Sequence, residues 1–96
     1  MKKANKELIV KKALEMSKGF IWCFTKETSN SYIKDFAKKR FESLIELDIE
    51  VNRAFEDDSY EDYQPLFVRT FTNNIKELLP QKAKLEEDLN KRFCDF

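Results

Sequence analysis

YIKDFAKKRFESLIELDIEVNRAFE, residues 32–56, is the stretch on which the fold turns. Placed at 100° per residue, Ile33, Phe36, Ala37, Phe41, Leu44, Leu47, Val51, Ala54 and Phe55 form one apolar stripe, and Ile45 and Ile49, four apart, widen it to one side with Phe41. A stripe that broad belongs to a helix touching two neighbours. The segment therefore reads as a single helix from about Tyr32 to Glu56. Arg40 falls inside the stripe, where it must snorkel to water or meet an acidic partner.

Upstream, Thr25 to Ser31 is polar and offers Thr28, Ser29, Asn30 and Ser31 as N-caps, so it reads as a turn. Before it, from about Lys3 to Phe24, Ile9, Val10, Ala13, Leu14, Met16, Phe20, Ile21, Cys23 and Phe24 occupy roughly half of a helical circumference, with most lysines on the other half. Leu8 and Trp22 sit among the lysines. Downstream, Asp57-Asp58-Ser59 makes the next break, Ser59 and Asp62 have capping-box spacing, and Pro65 suits a first turn. A third helix follows, regular by Gln64 or Pro65, with Phe67, Val68, Phe71, Ile75, Leu78 and Leu79 on one face. Leu85, Leu89, Phe93 and Phe96 keep the same phase across Pro80, which predicts one kinked helix or two meeting at Leu79-Pro80. Phe20 to Thr25 and Leu66 to Thr72 are rich in aromatic and β-branched residues, but both fit the helical faces and no third strand exists to complete a sheet.

The expected fold is all-α: one domain spanning residues 1–96, an antiparallel bundle of three long helices, the third kinked or broken at Pro80, effectively three to four helices. Composition agrees. The 96 residues are 42% hydrophobic with nine Phe, enough for a core, and 38% charged, which fits a soluble cytoplasmic chain. One Gly and two Pro leave few sites for the tight turns of a sandwich or barrel. Lysines after Met1 leave no apolar leader, and the longest apolar run, Phe20 to Phe24, is too short to span a bilayer.

The charges sum to zero but are sorted into blocks. Met1 to Arg40 carries eleven Lys/Arg against four Asp/Glu, Phe41 to Asp62 carries one Arg against nine Asp/Glu, and the remainder is near balance. Such sorting lets one arm neutralise another, or lets two copies meet head to tail. The first helix is therefore expected to lie antiparallel to the second, with Lys2 to Lys12 near Glu46 to Asp58.

The inventory points away from an enzyme. No His is present, which removes the commonest general base and the His-containing metal motifs, and Gly19 alone cannot build a phosphate loop. With Cys23 and Cys94 the only cysteines, a four-ligand zinc site is poorly supplied, and two reduced thiols are expected. Glu42, Glu46 and Glu50 follow i, i+4 spacing and read as a solvated row or salt-bridge partners. No cofactor or metal is called for.

What remains is binding. Trp22 on a lysine-rich face has the character of an anchor, Tyr60 and Tyr63 lie in the acidic turn as packing or as a rim, Ile45 and Ile49 widen the face of the second helix, and Leu85, Leu89 and Phe93 form a stripe that a straight third helix would leave overhanging the bundle. These are the candidate partner-binding residues, and they favour a protein partner and a homo-oligomer. Lys34, Lys38, Lys39 and Arg40 form a basic patch that would serve a nucleic-acid-associated regulator, although overall neutrality works against that use. Sequestration of a small ligand between helices of an oligomer is a third reading. No motif carries a family resemblance. In size and expected architecture the chain resembles small helical bacteriocin immunity proteins and small phage-encoded inhibitors.

Overall fold

The computed structural model describes the backbone of residues 3–55 and 59–94 and the side chains of residues 3–55, 59–82 and 84. Helix α1 (Lys3–Phe20) tightens into a 3₁₀ turn, Ile21–Cys23, which ends on the extended residue Phe24. The connection is built from threonines: Thr25 N–H donates to Thr28 Oγ1 at 2.9 Å and Thr28 N–H donates to the Thr25 carbonyl at 3.1 Å. Ser29 then caps α2 (Asn30–Leu47), its hydroxyl accepting the Tyr32 N–H at 3.2 Å.

The single helix expected over residues 32–56 is two helices. Asp48 takes an extended backbone conformation (φ −89°, ψ 114°), ends α2 and starts α3 (Ile49–Ala54). Its N–H still donates to the Leu44 carbonyl at 3.0 Å while its carboxylate accepts the Val51 N–H at 3.1 Å, so both helix ends are satisfied at one residue. A 3₁₀ turn, Tyr60–Tyr63, leads directly into α4 (Gln64–Cys94). Ser59 stands at the N-cap of that turn without a side-chain cap hydrogen bond, so the expected capping box does not form. Helix α4 runs through Pro80 uninterrupted, and the two-helix alternative is not adopted. No strand occurs among the described residues.

Helix α4 is the centre of the bundle and packs along both α1 and α2. Asn74 on α4 donates to Ser17 on α1, and eight residues further on Lys82 Nζ donates to the Phe24 carbonyl, so α1 and α4 run parallel. Phe36 meets Phe71 and Phe41 meets Phe67, so α2 runs antiparallel to α4. The backbone of α1 approaches the descending arm at α3, whereas α1 and α2 meet through long side chains such as Phe20 on Phe36.

Close packing of α1 on α4 follows from the buried row Asn5, Ile9, Ala13, Ser17, spaced four apart and ending in small residues. Its polar ends are paired. Asn5 donates to the Ala54 carbonyl at 3.0 Å, and Ser17 donates to its own helix at Leu14 as well as accepting from Asn74. Between α2 and α4 the core is aromatic: Phe24 stands edge-on to Phe36 at 5.0 Å and to Phe71 at 6.2 Å, and Phe67 stacks on Phe71 at 6.1 Å. Leu8, placed among the lysines by periodicity, packs part-buried against this core.

Candidate functional site

Asp48 organises the corner where α2 gives way to α3. Besides its two capping bonds, its carbonyl accepts both the backbone N–H and the side-chain amide of Asn52, each at 2.9 Å, and its carboxylate pairs with Lys12 at 3.1 Å. Lys12 also reaches Glu50 at 3.4 Å, which ties α1 to the break between α2 and α3. The Asp48 carboxyl is held below the usual carboxylate range, first by the Val51 N–H and then by Lys12. The Lys12 ammonium is raised above its ordinary value, chiefly by its hydrogen bond to Asp48.

The expected meeting of the lysine-rich first helix with the acidic arm is thus made at Lys12 and, through Asn5 and Ala54, at the foot of α1. The i, i+4 row of Glu42, Glu46 and Glu50 is broken, because Glu50 belongs to α3 and turns to Lys12.

The break at Asp48 also turns two aliphatic side chains outward. Leu47, expected in the core stripe, is 79% exposed, and Ile49 is 69% exposed. Ile45, grouped with Ile49 by sequence, separates from it and packs part-buried against the core. The corner is therefore an apolar pair on a pinned backbone with Glu46, Asp48 and Glu50 alongside. On the outer face of α1, Val10 and Leu14 form the floor of an open groove edged by Lys6, Lys11 and Lys18 together with Glu7 and Glu15. Leu14, placed in the buried stripe by sequence, is 38% exposed there.

Trp22 is 55% exposed, as its position among the lysines implies, and the Lys82 ammonium lies 5.4 Å from its ring centroid. Tyr60 is exposed as a rim residue should be. Tyr63 is not: it is fully buried with its ring 4.7 Å from Phe55, because the 3₁₀ turn points it inward beneath α3. Arg40 leaves the basic patch as well. Its guanidinium lies over Phe36 and Phe20, at 5.2 and 5.6 Å, so it meets aromatic faces where an acid or open water was expected.

Lys34 and Lys38 of the same patch line a groove between α2 and α4 that Arg69 and Lys76 complete, while Lys39 is exposed outside it. Leu85, Leu89 and Phe93 lie outside the residues whose side chains are described, as does Cys94. Cys23 is a free, exposed thiol. No cluster of metal-ligating side chains occurs among the described residues, and no described helix is long and apolar enough to cross a membrane.

The chain matches no protein-family model, and no curated protein or solved structure matches it.

Proposed function

We propose that the protein is a non-enzymatic helical binding module that acts by docking on protein surfaces, as an inhibitor or adaptor, and that its copies associate head to tail. The observation that carries this reading is the corner at Leu47 and Ile49. Two large aliphatic side chains are the most exposed of their kind in the described structure, and the backbone beneath them is fixed by a cap, a carbonyl shared by Asn52 and an ion pair. A pre-ordered backbone lowers the entropic cost of docking, and exposed aliphatics gain from being covered.

The occupant that fits is a second copy. Both surfaces are apolar at their centre: the corner presents Leu47 and Ile49 beside Glu46, with Asp48 and Glu50 already held by Lys12, and the Val10–Leu14 groove is edged by Lys6, Lys11 and Lys18 and by Glu7 and Glu15, a small excess of positive charge. Lys12, which faces the corner, is two residues from both Val10 and Leu14, so these lie on the opposite side of α1 and the groove cannot reach its own corner. The contact is then heterologous, one copy's corner on the next copy's groove.

Sedimentation velocity over a concentration series, at about 50 mM and about 500 mM salt, tests this. Concentration-dependent assembly that weakens with salt, and is lost in a folded Leu47→Ser/Ile49→Ser variant, is the expected result. A chain that stays monomeric at every concentration defeats head-to-tail association, and assembly that survives the double substitution defeats the corner as its surface.

A further inference from the structure

Between α2 and α4 runs a groove of about 500 Å³ lined by Lys34 and Lys38 from one helix and by Arg69, Thr72, Asn73 and Lys76 from the other, with Gln64, Pro65 and Val68 at one end. The chain has as many acidic as basic residues, yet every ionisable side chain lining this groove is a cation. None of the four is in an ion pair with a described residue. Four like charges around one concavity repel each other in the folded state, and a bound anion relieves that repulsion.

Thr72 supplies an independent observation. It is 3% exposed, and its Oγ1 is buried without a hydrogen-bond partner. Buried hydroxyls are rarely left unpaired, and on a helix a threonine can return its hydroxyl to a carbonyl one turn back. This one does not, although its side chain lines the groove. A single χ1 step exchanges methyl and hydroxyl and offers the proton to a ligand seated there.

We infer that this groove binds a small phosphorylated ligand bearing two or more negative charges. Ammonium groups and a guanidinium fork match phosphate oxygens, the Gln64 and Asn73 amides add neutral donors, and Pro65 and Val68 give a non-polar surface for the rest of the molecule. Its volume suits one small ligand. A long polyanion is disfavoured by what adjoins it: Gln64 also lines the neighbouring depression, where Glu42 and Glu61 are found, so negative charge begins where the groove ends. A nucleic acid tracking along α4 would meet those carboxylates.

Titration calorimetry at about 50 mM salt with pyrophosphate, then with ATP, tests the site, beside a short DNA duplex. The expected result is saturable 1:1 binding of at least one of the two phosphate probes. Lys38→Gln/Arg69→Gln should weaken it by about tenfold or more, and Lys39→Gln, off the groove, should leave it unchanged. Thr72→Val should weaken binding while leaving the melting temperature of the free protein unchanged or raised, since it deletes an unpaired hydroxyl; a purely structural threonine would not separate the two readouts. Absence of saturable binding by both probes overturns the inference. So does binding indifferent to Lys38 and Arg69, or duplex DNA binding more tightly than either probe.

Discussion

The Asp48 carboxylate accepts the Val51 N–H and holds Lys12 while its backbone N–H donates to the Leu44 carbonyl, so one residue ends a helix, starts another and fastens both to α1. Asp48→Ala removes the cap and the ion pair together and should lower stability by about 1–2 kcal/mol. Asp48→Asn keeps an equally good capping oxygen and loses only the charge, so its cost should stay below about 1 kcal/mol, and urea unfolding of the two variants separates cap from charge. The pH dependence has a definite sign. Asp48 is held below its ordinary value of 3.8, so its contribution is present above that value and is lost as pH falls through the lower folded one. Lys12 is raised above 10.5, so its contribution is full below that value and is lost as pH rises through the higher folded one. The stability difference between wild type and Asp48→Ala should therefore be flat from about pH 5 to 9 and shrink on either side. A difference that persists unchanged at about pH 2 would mean that the charge contributes nothing. Periodicity could not show this break, because Val51 and Phe55 stay in phase with Leu44 across it. Aspartate is nonetheless among the strongest N-cap residues, and Glu50 in the following turn is the local signal that could have located the cap.

Among the helices, the existence and type of each long element were readable from apolar spacing, as were Ser29 among the candidate caps and the start of the last helix near Gln64. The width of each buried face was not. Half of the circumference of α1 is apolar, but α4 covers chiefly the row through Asn5, Ile9, Ala13 and Ser17, which leaves Leu14 part-exposed. A sequence marks which residues prefer to leave water without marking how many a neighbour has room to cover. Small residues in that row set the α1–α4 separation, so enlarging one of them should be felt. Ala13 is fully buried, and Ala13→Leu should destabilise the bundle by about 1–3 kcal/mol through overpacking, read as a lower urea midpoint with an unchanged slope. A neutral outcome would mean that α1 can move away from α4 at no cost, and that the row does not fix their distance.

At the scale of the whole molecule, the antiparallel path of α2 against α4 explains both what the sequence revealed and what it hid. Lys34 and Lys38 stood out as a patch, but Arg69 and Lys76 lie far along the sequence, on the last helix, and join them only because the two helices run side by side in opposite senses. The same geometry places the last described contact of α4 with the first arm. Lys82 Nζ donates to the Phe24 carbonyl at 2.6 Å, level with the end of the first arm, and the helix backbone continues to Cys94, about 18 Å further at 1.5 Å per residue. A chain ending at Lys84 keeps every side-chain contact described for α1 to α3. It should fold with an unchanged melting temperature, whereas a chain ending at Pro80 loses Lys82 and with it a charge-assisted hydrogen bond worth about 1.5–3 kcal/mol. Circular dichroism melts of the two truncations, with Lys82→Met in the full chain as the single-residue equivalent, separate the roles. Equal destabilisation of the Pro80 truncation and Lys82→Met assigns the loss to the lysine. Unfolding of the Lys84 truncation would instead make the stretch of Leu85, Leu89 and Phe93 part of what holds the bundle together, as its phase with Leu78 and Leu79 in the sequence allows.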